Sequence, residues 1–195
     1  MGLIAATSFI LATQISHKST VAPVKTQSAE QSRLDEIWDH VDNRVITQLD
    51  VWYDLGEFPE CTSLLQVQWA YSPDDYDICT SLGWMLENID LKEKARDVYR
   101  DFSDRHPKSG DAAFALGFSY FNVKDYGNAI KYLEPSLANN PSPNTYRVLA
   151  KAYERKNMPK DAIRIWELEL KKYPGEATAM TNIKRVKAKL GDGGK

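Results

Sequence analysis

The sequence predicts an all-α array of stacked helical hairpins, and three observations predict it. Pro73, Pro107, Pro141 and Pro174 fall at intervals of 34, 34 and 33 residues. Twelve residues before each stands a small side chain: Cys61, Ala95, Ala129 or Ala162. Thirteen further back, the pairs Gln48-Leu49, Leu82-Gly83, Leu116-Gly117 and Leu149-Ala150 keep the same period. Self-similarity near 34 residues marks helix-turn-helix units, which bury their apolar faces only by stacking on neighbours.

The elements follow in chain order. Residues 3–15 form an uncharged, mostly apolar run, shorter than the roughly 20 residues that cross a bilayer but long enough for the core of a secretory signal. Residues 1–22 are therefore expected to direct export to a periplasmic or secreted location. No base precedes Leu3, and the nearest small-x-small site, Thr20-Val21-Ala22, runs into Pro23. A cytosolic chain or an uncleaved anchor are the alternatives, with membrane contact only through this segment. Residues 23–32 read as a flexible linker of Pro, Thr, Gln, Ser and Glu. From about Ser32 the three-to-four spacing of Leu34, Ile37, Trp38, Val41, Val45, Leu49 and Trp52 predicts one long helix into the first hairpin.

Hairpins are expected over residues 42–75, 76–109, 110–142 and 143–176. Gly83, Gly117 and Ala150 are expected to meet the small residue of the following helix, since two backbones approach only where side chains are short. Leu49 breaks that rule, so the first hairpin is expected to be wider. Each proline ends a second helix, and Pro135 is expected to kink one from within. Residues 177–190, with Lys184, Arg185, Lys187 and Lys189, read as a polar capping helix. Residues 191–195 are a tail.

The third unit, DAAFALGFSYFNVKDYGNAIKYLEPSLANNP, and the fourth, NTYRVLAKAYERKNMPKDAIRIWELELKKYP, resemble the tetratricopeptide repeat family, whose pattern is W-x2-L-G-x2-Y followed by Ala, an aromatic and Pro. LGEFPEC at the first turn adds to the likeness, while the second unit lacks the usual turn glycine. The resemblance covers about residues 42–176. It implies a right-handed α-solenoid whose first helices line a concave groove for a peptide or protein segment, with no cofactor and no catalysis. Carried over by position, the groove falls to Asp50, Tyr53 and Asp54, then Trp84, then Phe114, Phe118, Phe121 and Asn122, then Arg147, Lys151 and Arg155. It would run from acidic, through aromatic, to basic. The Lys/Asn clamp with which some members hold the C-terminal carboxylate of heat-shock chaperones is disfavoured, because Ile46 and Asp50 stand at its first positions.

Charge sharpens the functional choice. Residues 30–90 hold 14 acids against Arg33 and Arg44, a balance of −12, and residues 91–195 hold 21 bases against 13 acids, a balance of +8. A whole-chain charge of −2 gives no electrostatic reason to expect nucleic acid. His17, His40 and His106 have no ligand or acid at catalytic spacing, and neither a nucleophile elbow nor a phosphate loop is present, so no enzyme is expected. Cys61 and Cys79 read as buried core, with a bond between them open to an exported chain.

Phe114, Phe118 and Phe121 sit one turn apart, opposite Leu116 and Tyr120, where they would meet a ligand or the chain's own N-terminal segment or tail. Arg147, Lys151 and Arg155 repel along one face, which an acidic partner or plain solvent would relieve. The leading expectation is a non-catalytic scaffold for a protein or peptide segment. The second is head-to-tail self-assembly of acidic and basic halves into a homo-oligomer. The third is an inactive accessory of an enzyme complex.

Overall fold

The computed structural model describes residues 29–192; the expected signal-like segment, most of the expected linker and the end of the tail lie outside them. The chain divides into two units, residues 1–44 and 45–195. The described part of the first is the opening of helix α1 (Ala29–Leu55), on which Leu34, Ile37 and Val41 are exposed along one side. Because α1 begins three residues before Ser32, the end of the expected linker is helical.

The second unit holds the rest of α1 and helices α2 (Phe58–Tyr71), α3 (Tyr76–Asn88), α4 (Lys92–Arg105), α5 (Gly110–Asn122), α6 (Tyr126–Ser136), α7 (Pro143–Arg155), α8 (Pro159–Lys172) and α9 (Ala177–Asp192). No strand occurs among the described residues. Consecutive hairpins stack into a solenoid.

One backbone device makes all four hairpin turns. Gly56, Asp90, Lys124 and Asn157 take left-handed conformations, with φ of 76°, 63°, 65° and 58°. In each turn that residue's N–H donates three residues back and the next N–H donates five back, as in Asp90 N to Glu87 O at 3.2 Å and Leu91 N to Leu86 O at 2.8 Å. This is the Schellman closure of a helix end. The period carries the turn even where the usual glycine is Asp, Lys or Asn. First helices are started by side-chain caps, Asp75 for α3 and Ser109 for α5.

The small residues pack differently from expectation. A Cβ on Gly83 would lie 2.2 Å from the Tyr99 ring, and one on Gly117 would lie 2.5 Å from Leu133 Cγ. Each glycine therefore cradles the large residue one turn beyond the paired alanine, rather than the alanine itself. In the first hairpin the Cys61 thiol reaches the Leu49 carbonyl at 3.8 Å, so the helices approach there despite the leucine.

Two apolar clusters result. One gathers Cys61, Leu65, Cys79, Leu82, Leu86, Ala95, Tyr99 and Leu116, and the other Leu133, Leu149, Tyr153, Ile165, Trp166 and Ala179. Helix α5 divides its side chains between them, Ala112 and Leu116 to the first and Phe114 and Phe121 to the second. At Pro135 the α-helix does more than kink: the ring leaves the Lys131 carbonyl one turn back without its donor and crowds it, and the helix ends at Ser136 and continues as a 3-10 turn, Leu137–Asn139.

The joints between hairpins repeat as well. The carbonyl of Pro73 accepts from Arg105, that of Pro107 from Asn139 at 3.5 Å, and that of Pro141 from the Tyr173 hydroxyl at 2.8 Å. The donor stands 32 residues after its proline every time.

Candidate functional site

The first helices α1, α3, α5 and α7 carry the positions expected to bind a partner. Charge on them changes abruptly. From Val45 onward α1 bears Asp50 and Asp54, α3 bears Asp77 and Glu87, and α5 bears Asp111, with no lysine or arginine on any of the three. Helix α7 then bears Arg147, Lys151 and Arg155.

Aromatic rings cross the acidic part. Tyr53 and Trp84 keep 47% and 44% of their surface exposed, with ring centroids 5.8 Å apart at 40°, and Phe58 meets Tyr53 edge-on at 5.8 Å. On α5, Phe114, Phe118 and Phe121 form a near-parallel ladder with centroids 5.4 and 6.5 Å apart. Its members differ in burial: Phe114 and Phe121 pack on the cluster shared with α7, while Phe118 stays 38% exposed. The α5 stripe thus presents one open phenylalanine flanked by two half-buried ones. Asp50, Asp54, Asn122, Lys151 and Arg155 are exposed, as expected of groove positions.

Arg147 departs from expectation. Its Nε donates to Glu169 at 2.9 Å and its Nη2 to Glu176 at 2.6 Å, so it clips α7 to α8 and to the segment before α9. Repulsion with Lys151 and Arg155 is already answered inside the chain. Glu169 is fully buried, and burial pushes its carboxyl above the ordinary glutamate range, with Arg147 pulling the other way. Glu154 is similarly engaged, accepting from Trp166 at 3.3 Å and Arg185 at 2.8 Å. Sequence reasoning missed these acids, although Glu169 interrupts the apolar spacing of Ala162, Ile165, Trp166 and Tyr173. A carboxylate in such a stripe needs a cation.

Other reactive groups are inert. Cys61 and Cys79 are free, buried thiols, and burial pushes the Cys79 thiol up to about 12. A cleft of about 530 Å³ is lined by Asp90, Lys92, Glu93, Arg96, Tyr120 and Asp125, but its charges are engaged, Lys92 with Asp90 at 2.7 Å, Arg96 with Glu93, and Asp125 as the cap of α6 through Asn128. No group of three metal-capable side chains occurs among the described residues. Nor is any helix among them long and apolar enough to cross a membrane.

A row of hairpins closed by left-handed turns, joined at proline carbonyls and bearing its variable side chains on the first helices, defines an α-solenoid of helix-turn-helix repeats. Residues 81–109 match the tetratricopeptide repeat family model. Over 116 residues the chain is 28% identical to Tetratricopeptide repeat protein 8 of Caenorhabditis elegans, a match covering 54% of this chain and 23% of that protein. The chain thus spans less than a quarter of that relative. A crystal structure of the MamA protein superposes with a TM-score of 0.62 at 21% identity, covering 76% of this chain and 82% of that one. MamA from Desulfovibrio magneticus RS-1 gives 0.61 at 18%, with 77% and 85% covered, and Pseudomonas aeruginosa pilF gives 0.61 at 15%, with 79% and 71%. Likeness at that identity concerns the fold. Residues 81–109 carry a tetratricopeptide repeat, the fold is that of such repeats, and a protein partner is the class of ligand that they take.

Proposed function

We propose that the chain is a non-catalytic scaffold holding an extended or helical segment of a partner protein across its first helices. The observation that carries this reading is the exposure of Tyr53, Trp84 and Phe118 on three successive first helices, where the core has no use for them. Phe118 takes an apolar anchor of the segment, and Lys151 and Arg155 take its acidic residues. A fully buried anchor is worth roughly 1.5–3 kcal/mol and governs dissociation. Exposed ion pairs at about 0–1 kcal/mol each govern approach and orientation.

A photo-crosslinking amino acid at position 118 should capture one partner from the native host, in competition with unmodified chain. Equal capture from position 131, on a second helix, would place the partner elsewhere. The apolar run at residues 3–15 supports export, which puts that partner outside the cytoplasm. Recovery of the chain from cytosol with its first residues intact would refute that part.

A second reading has its own support. Lys184 and Lys189 make no ion pair among the described residues, and Met180 and Leu190 beside them are exposed. An acidic surface of another copy would match them. Sedimentation at low and high salt tests it: a monomer at both leaves only the foreign partner.

A further inference from the structure

Four electron-rich rings of this chain hold a cation of their own. Arg105 lies over Trp69 at 4.8 Å, Arg96 over Tyr120 at 5.7 Å, Lys131 over Tyr132 at 5.3 Å and Arg164 over Tyr153 at 5.9 Å. Tyr53 and Trp84 hold none among the described residues. No lysine or arginine stands between Val45 and Leu91, where nine acids do, so a ring there takes a cation only from another part of the chain, as Trp69 does from Arg105 on α4. Of the three cations next in sequence, Lys92 is engaged by Asp90 and Arg96 by Glu93, and Lys94 makes no cation–π contact with either ring.

We infer that the Tyr53–Trp84 pair is a seat for a lysine or arginine side chain of the partner segment, an inference that rests on the scaffold reading above. Three features converge. The rings meet at 40° rather than stacking, and nearly half of each stays open to solvent, so a cation can reach a ring face. Asp50 lies one turn from both Tyr53 and Asp54 on α1. Tryptophan is the ring that binds cations best, and neighbouring carboxylates add Coulomb attraction while the aromatic face shields the stem. Phe118 occupies the same repeat position 34 residues on, but among phenylalanines and with no acid within a turn. The face therefore reads a segment by kind: a cation at Tyr53 and Trp84, an apolar side chain at Phe118, and acids at Lys151 and Arg155.

The test uses the whole chain and fluorescein-labelled octalysine, followed by anisotropy, with octaglutamate as control. Octalysine should bind at about 50 mM salt and weaken about tenfold by about 300 mM, and octaglutamate, which has only Lys151 and Arg155 to bind, should bind equally well with or without the Tyr53 and Trp84 rings. The double variant Tyr53→Leu/Trp84→Leu keeps apolar bulk but removes the π faces, and should lose about fivefold in affinity. Asp50→Asn/Asp54→Asn keeps the rings and should lose about as much at low salt, which preserves the test if the leucine variant fails to fold. Phe118→Ala should change nothing here. Octalysine binding the leucine variant as tightly as wild type overturns the inference. If position 118 still captures its partner in that variant, the scaffold reading survives and this one alone falls. Self-association that the leucine variant abolishes would also overturn it, by making a second copy the occupant.

Discussion

Helices α5 and α7 are neighbouring first helices with stripes of the same spacing, aromatic on one and cationic on the other, and the two stripes meet different fates. On α7 the stripe is partly consumed from within: Arg147 is bound by Glu169 and Glu176, and the nearby Glu154 by Trp166 and Arg185. On α5 packing takes two rings of three and leaves Phe118 open. Charge is cancelled by a single well-placed opposite charge, whereas apolar area is covered only by area. Helix α7 gives up Arg147 to α8 and to the segment before the cap while Lys151 and Arg155 stay open, and the helix in mid-array keeps an open ring.

The largest test of that contrast is Arg147→Ala. It strands Glu169 buried without its cation and should lower stability by about 3 kcal/mol at neutral pH in denaturant melts. The loss should shrink on acidification, because protonation relieves the stranded carboxylate. In the wild type the sign is the same on a smaller scale. Burial raises the folded-state value of Glu169, so the fold binds its proton more readily than the open chain does. Stability should therefore fall as pH rises from the ordinary glutamate range through that raised value.

Next comes Gly117→Ala on α5, whose new Cβ would crowd Leu133 at 2.5 Å and should cost about 2 kcal/mol in thermal or denaturant unfolding. The equivalent position on α7 is already Ala150, and Ala150→Gly should cost only about 1 kcal/mol. Within the α5 ladder, Phe114→Ala should lower stability by about 1.5 kcal/mol and Phe118→Ala by about 0.5 kcal/mol, while only Phe118 is needed for partner capture. Equal stability losses would erase the distinction between packed and open rings. The smallest effect concerns the turns after the two helices. Lys124→Gly should raise the melting midpoint through about 0.5 kcal/mol of relieved left-handed strain, and Asn157→Gly should do less, since asparagine tolerates that conformation.

The repeat was legible because period is a property of the chain itself: prolines and small residues 33 or 34 apart locate four hairpins without any knowledge of contacts. Less legible was what each small residue accommodates. Sequence pairs Gly83 with Ala95, but the side chain that fills the space belongs to Tyr99, one turn away. The turn at Asp90, which lacks glycine, closes like the others because the hydrogen-bond pattern needs a left-handed residue and not a particular one. At the candidate site, position on the first helices was readable, but whether a charge there was already answered was not. Arg147 is met by residues 22 and 29 positions later, a distance no local pattern spans. Equally hidden was Tyr53 beside Trp84, a ring contact made across hairpins.

The proline carbonyl joints bear on how such a chain can grow. Their acceptor is main chain, and their donors are an arginine, an asparagine and a tyrosine. A seam that asks only for some donor reaching a fixed backbone oxygen survives changes of side chain that would ruin a matched pair. Duplicating one 34-residue unit copies acceptor and donor together, so the new junction arrives ready-made. Length can then change by whole units, and the binding surface can lengthen without redesign of the seams beneath it.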